Sequence, residues 1–255
     1  GKPNDLKLYE TIATENAGRY SRRSEHESAF HAWTNLIDEL ARRLDVDGDR
    51  SDWMQSLAHA KIRRAESAVH LGRADDAADD YRNAIADLQR TWALADADEF
   101  FRVNLATAEN NLGRLWSKGD SLQRQKAIEL FSHSIATYQQ LLSESATPDL
   151  LRRLAQTHLA MSDAIGVAAS GTDQGNQKRE HLDNANLAYE ILADQDLLTD
   201  TDRLDWATVQ IAIDQMDPSV DNRSEAKEIL SRIDTEELTD SQKKRFQDLE
   251  RNASK

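Results

Sequence analysis

Residues 77–84 read AADDYRNA, with Ala77, then Tyr81 four residues on, then Ala84 three after that. Positions i, i+4 and i+7 lie on one face of a helix, so the octet describes a face that is small, aromatic, then small. An alanine lets a neighbouring helix approach closely, and the ring fills the space beside it. The face recurs as Ala29–Trp33–Leu36, Ala127–Phe131–Ser134, Ala185–Tyr189–Leu192 and Ala226–Leu230–Ile233. The leading alanines are 48, 50, 58 and 41 residues apart.

A second series lies between these faces. Leu8, Leu57, Leu105, Leu154 and Leu204 are separated by 49, 48, 49 and 50 residues. A small residue follows at Ala58, Ala106 and Ala155, and a bulky apolar one precedes by four at Trp53, Phe101 and Leu150. Two helical faces alternating at one period describe antiparallel helix pairs, A then B, each too small to bury its face without a neighbour. The pattern places A helices at roughly 52–71, 99–117, 149–168 and 201–216. It places B helices at roughly 26–44, 75–94, 124–143, 178–194 and 223–233. A helix near 5–20 completes the first pair.

The breaks support this phasing. Gly72, Gly119 and Gly171 are expected at or just past the A helices, where a left-handed residue ends a helix. Pro148 and Pro218 are expected in turns, and Ser170–Gln177 forms the longest loop, which accounts for the 58-residue step. Thr239-Asp240-Ser241 reads as the N-cap of a last helix. The expected core includes Ala77, Tyr81, Leu105, Leu112, Gly113, Ala127, Phe131 and Leu154.

Two stretches carry a family likeness. Asn110–Trp116 reads NNLGRLW and His70–Ile85 reads HLGRADDAADDYRNAI. They resemble the tetratricopeptide repeat (TPR) family, with Leu112, Gly113 and Trp116 matching its helix A, Ala77, Tyr81 and Ala84 its helix B, and Gly72 its turn glycine. The resemblance covers about 50–235. The repeat here is near 49 residues instead of 34, which lengthens both helices by about two turns each. The Leu-Gly pair is replaced by Arg64-Ala65, Met161-Ser162 and Ile211-Ala212. Such long repeats are similar to arrays attached to bacterial signalling proteins, often beside a protein kinase. The sequence has no kinase Gly-rich loop, HRD or DFG segment, and Gly1 suggests a piece of something longer.

The resemblance implies an all-α, right-handed α-α superhelix of about five hairpins plus a C-terminal capping helix. One array is expected over 1–255, with pairs at roughly 5–48, 49–97, 98–147, 148–198 and 199–236 and the last helix at 239–252. It also implies a concave wall of A helices. Carried over from each repeat leucine, the groove positions are His59, Ile62, Glu66 and Val69; Thr107, Asn110, Arg114 and Ser117; Gln156, Leu159, Asp163 and Gly166; and Trp206, Val209, Ile213 and Met216. The implied partner-binding set is His59, Glu66, Thr107, Asn110, Arg114, Gln156 and Trp206. The fourth group is wholly apolar, so it is either core or covered by the last helix, a second copy or a partner.

Other chemistry is expected to be absent. No cysteine is present for a disulfide or a thiolate site, and no apolar run approaches the length of a membrane span. A net charge of −14 argues against a nucleic-acid surface, since phosphate binding needs clustered Lys and Arg. His26-Glu27 with His31 approaches a zinc-binding HExxH, but five residues turn a helix by about 500°, leaving the imidazoles about 140° apart. Asp45-Val46-Asp47-Gly48-Asp49, with Asp52, approaches a calcium loop, but the glycine and the closing glutamate are misplaced. No catalytic residues, metal or cofactor are expected. The leading expectation is a non-catalytic module that binds a protein or peptide, with a self-associating scaffold (a homodimer) as the alternative. The compartment leans cytoplasmic.

Overall fold

The computed structural model describes residues 3–47, 51–92, 98–166, 171–219 and 221–254. Gly48 and Asp49 of the calcium-like turn, Ser170 of the long loop and the side chain of Leu8 lie outside the described set. Among the described residues the chain forms eleven helices and no strand. They are α1 (Pro3–Arg22), α2 (His26–Asp47), α3 (Ser51–His70), α4 (Ala74–Trp92), α5 (Glu99–Trp116), α6 (Ser121–Glu144), α7 (Pro148–Ile165), α8 (Asp173–Asp194), α9 (Asp200–Met216), α10 (Asn222–Ser231) and α11 (Asp240–Ala253). The all-α expectation holds, and each predicted helix is present with its ends moved by a few residues.

The helices fall into two compact units, residues 1–116 and 117–255, with the boundary inside the third expected pair. In the first unit each helix packs on the next, and α3 also touches α5. Ala17 of α1, Ala29, Trp33, Leu36 and Leu40 of α2, and Leu57 and Ala60 of α3 form one core. In the second unit α6 to α10 pack in the same sequential way, α7 also touches α9, and α11 lies on α9 and α10. Besides the buried face of α6, two clusters make up much of its core. Leu159 of α7, Leu182 and Tyr189 of α8, and Val209 and Ile213 of α9 form one, and Ile211, Leu230, Leu249 and Ala253 belong to the other.

The alanine–bulky–small face explains these contacts. All fifteen residues of the five faces are buried, and Ala29, Ala77, Ala127, Ala185 and Ala226 are each at 0% exposure. The second series follows, with Leu57, Leu105 and Leu204 buried and Leu154 half-buried. Arg64 occupies the place that Leu112 holds one repeat later. It is accommodated because Asp80 of α4 accepts from its Nε at 2.7 Å and its Nη2 at 2.6 Å, a two-point fork.

The helix ends correct several expectations. Gly72 (φ +73°) ends α3 as expected. α7 stops at Ile165 because Gly166 (φ +81°) is its C-cap, so Gly166 is a terminator and not a groove residue. Gly171 also has φ +81° but precedes α8. Gly119 is not left-handed: a Cβ there would lie 1.9 Å from Gln123 Oε1, which caps α6 by accepting from Asp120 N. A side chain at Gly119 would therefore push the Gln123 amide out of the capping box. Pro148 is the first residue of α7, where its missing N–H costs nothing. Thr239 is the N-cap of α11.

Phe131→Ala or Tyr81→Ala should lower unfolding free energy by about 3–5 kcal/mol in denaturant melts, as truncation of a buried aromatic does. Asp80→Ala should cost a similar amount, about 3–5 kcal/mol, because it strands a partly buried guanidinium. The double variant R64L/D80L should lie closer to the parent than D80A does, since a leucine already serves at the equivalent place in the next repeat.

Candidate functional site

The expected wall lies on α3 and α5 in the first unit and on α7 and α9 in the second. On α3, Ile62 is 1% exposed and belongs to the core, while His59 and Glu66 are half-buried. His59 donates from Nδ1 to Asn104 Oδ1 of α5 at 3.2 Å. Its ring meets Trp33 edge-on, with centroids 6.2 Å apart, and Phe100 at 5.6 Å. Burial lowers its pKa, so it sits there as a neutral donor. His59 therefore links two successive A helices.

The remaining residues of this face gather where α3, α4 and α5 meet. Arg63 donates from Nη1 to Glu66 Oε2 at 2.6 Å. Burial pushes the Tyr81 hydroxyl well above its ordinary pKa and the Glu66 charge adds to this, whereas a hydrogen bond with Asn111 and the charges of Arg63 and Arg114 oppose it. One hydroxyl thus senses Arg63, Glu66 and Arg114 together. Arg114 is exposed, and Thr107 and Asn110 are half-buried. Thr107 donates back to Val103 O at 2.7 Å within its own helix. Asn110 donates from Nδ2 to Asn111 Oδ1 at 3.3 Å, while its own Oδ1 is buried with no hydrogen-bond partner among the described residues.

In the second unit the wall positions are mostly committed to packing. Gln156 donates from Nε2 to Asp205 Oδ2 at 3.3 Å, 49 residues on. Arg152 donates from Nε to Asp202 Oδ2 at 2.8 Å, 50 residues on. Asp205 is also held from α11, where Arg245 donates to its Oδ1 at 2.6 Å. Val209 and Ile213 are buried with α7 and α8, so the apolar fourth group is core. Trp206 is half-buried between the two core clusters and donates from Nε1 to Asn186 Oδ1 at 2.7 Å. Counting from the repeat leucines did not identify Arg63, Asn104, Asn111 or Asp205. A signal was present: complementary polar residues one repeat apart, such as Gln156 with Asp205 and Arg152 with Asp202.

His26 and His31 do not converge. His26 stacks on His70, while His31 lies 3.3 Å from Glu27. A closer histidine pair joins α7 to α8: His158 and His181 place their Nδ1 atoms 2.9 Å apart, so one ring must donate and the other accept. Burial, reinforced by the neighbouring His181, lowers the His158 pKa to about 4. Glu109 on α5 is 4% exposed, and burial raises its pKa to about 7. No group of three or more metal-ligating His, Asp or Glu side chains occurs among the described residues. No helix among them is long and apolar enough to cross a membrane.

No protein-family model matches the chain, and no curated protein matches it significantly. Solved structures do. BtubC of P. vanneervenii superposes with a TM-score of 0.61 at 16% identity, covering 94% of this chain and 90% of that one. An array of nearly identical TPR-like repeats from a Podospora anserina protein assigned as a kinesin light chain gives a TM-score of 0.52 at 17% identity, covering 91% and 94%. Identities this low establish likeness of fold. The chain is a TPR-like helical repeat protein.

The two buried titratable groups should tilt stability against pH in opposite senses. His158 titrates near 6.5 when unfolded and near 4 when folded, so the unfolded chain takes up the proton first. Its contribution is full above about pH 6.5 and declines as pH falls toward 4. Glu109 titrates near 4.5 when unfolded and near 7 when folded, so its contribution is full below about pH 4.5 and is lost as pH rises through 7. In urea melts across pH 4–8, His158→Gln should flatten the acid-side decline and Glu109→Gln should remove the loss between pH 4.5 and 7.

Proposed function

We propose that this chain is a non-catalytic protein-interaction module that holds a peptide or protein partner on the A-helix face of its first unit. In this reading it is a segment of a larger bacterial signalling protein. The observation that carries the proposal is the polar material on the A-helix face of α5. Asn110 holds a buried Oδ1 with no hydrogen-bond partner among the described residues, one turn from the exposed Arg114. A buried acceptor left unpaired is costly, so this face is under-satisfied as it stands. Arg114 offers a guanidinium that can hold a carboxylate in two parallel bonds and stays charged at any working pH. The TPR-like fold supports an interaction or scaffold role.

His59 and Gln156 have a narrower part in this reading than their groove positions implied, because each already bonds to the next A helix. Trp206 already donates its indole N–H to Asn186 within its own unit. The anchors of choice are Asn110 and Arg114, with Thr107 and Glu66 beside them.

Affinity capture with the parent chain and with Arg114→Ala tests the assignment. The substitution should abolish retention of the partner and change stability by no more than about 0.5 kcal/mol, as is usual for an exposed side chain. A large loss of stability with capture intact would instead make Arg114 an internal strut.

A further inference from the structure

The turn between α1 and α2 leaves a cavity of about 240 Å³ against the C-terminal half of α3, lined by Arg22, His26, Arg63, Glu66, Ser67 and His70. The His26 and His70 rings stack with centroids 4.1 Å apart and planes 12° from parallel. Two guanidinium groups and one carboxylate line the cavity, so with both imidazoles neutral it carries one net positive charge. This stands out in a chain whose net charge is −14. Arg22 is exposed and His26 and Arg63 are half-buried, so the cavity is open to solvent.

We propose that this cavity binds a single carboxylate carried by an acidic side chain of a partner peptide, with Arg22 and Arg63 as its charge partners and His26 and His70 as proton-linked donors. One net positive charge balances one carboxylate, whereas a doubly charged phosphate would leave excess negative charge next to Glu66. The volume falls below the roughly 300 Å³ at which small-molecule sites begin, which suits the end of one side chain. Arg63 spends one guanidinium nitrogen on Glu66 and retains other N–H donors. The Ser67 hydroxyl is committed to Arg63 O at 3.1 Å. The other nearby acid, Glu27 on α2, is held by Arg73 at 3.0 and 3.1 Å and by His31 at 3.3 Å.

A carboxylate here couples binding to protonation. Burial and the neighbouring His70 depress the His26 pKa, so the ring is mostly neutral at pH 7. The charged groups around it are Arg22 from α1, Glu27 and His31 on α2, Arg63, Glu66 and His70 from α3, and Arg73 in the following turn. A bound carboxylate favours the imidazolium form, so binding should take up protons and tighten as pH falls from 8 to 6. The inference rests on the chain being a binding module but does not depend on Arg114.

The test titrates N-acetylated, C-amidated Gly-Gly-Glu-Gly-Gly into the whole chain while the imidazole resonances of His26 and His70 are followed by NMR. Both should shift saturably, with tighter binding at pH 6 than at pH 8, and His26 should titrate at higher pH when the peptide is bound. The peptide with Gln in place of Glu should leave them unmoved. Arg63→Gln should weaken binding at least tenfold, and Arg22→Gln, at an exposed position, provides the same test if Arg63→Gln proves unstable. No saturable shift, or equal shifts with the Gln peptide, would overturn the proposal. Tighter binding of inorganic phosphate than of the Glu peptide would overturn the choice of carboxylate. Loss of partner capture in Arg114→Ala with this titration unchanged bears on the wall alone, and the converse bears on this cavity alone.

Discussion

Close approach of helices at an alanine, with a bulky side chain four residues on, is the constraint on which the structure depends. Ala77 admits a neighbouring helix, Tyr81 fills the gap beside it, and Ala84 closes the face one turn later. A larger side chain at the alanine would hold the helices apart, and a smaller one at the tyrosine would leave a void. Because this face recurs, each helix within a unit buries its apolar face against its neighbours in that unit. Stability is therefore distributed over nearest-neighbour contacts. α11 covers the last exposed face with Leu249 and Ala253.

A second layer of contacts is polar and runs between like helices of successive pairs. His59 with Asn104, Gln156 with Asp205 and Arg152 with Asp202 each join residues 45 to 50 apart. The packing of α3 on α5 and of α7 on α9 is thus held on its wall side by hydrogen bonds whose partners sit about one repeat away. These directional links restrict how one pair slides on the next, which a purely apolar face would permit more freely. They also occupy His59 and Gln156, two of the expected wall positions.

Charge is arranged unevenly for so acidic a chain. Many acids pair within a turn of their own helix, as Glu39 does with Arg42 and Arg43 and Asp149 with Arg153. Such exposed pairs add little to stability and mainly keep the surface solvated. In the first unit Arg22, Arg63 and Glu66 line one cavity, and Arg63, Glu66 and Arg114 all act on the Tyr81 hydroxyl.

The sequence by itself determined the helices, their pairing order and the buried faces, because 3.6-residue periodicity and side-chain size act locally and repeat. Its glycines were less legible. Gly72 and Gly166 end helices through left-handed backbone, but Gly119 leaves room for the Gln123 side chain that closes on it, a contact defined only once the capping box forms. Site residues were legible only in part. Spacing placed Asn110 and Arg114 on α5, but it left Val209 and Ile213 open between groove and core, and they are core. The rotation of each A helix about its own axis decides which positions face the wall. That rotation depends on which neighbours fill the gaps, as α8 does beside α9, and so it belongs to the tertiary structure. The stacking of His26 on His70 and the His158–His181 contact arise the same way, from side chains 44 and 23 residues apart that meet only when the helices pack.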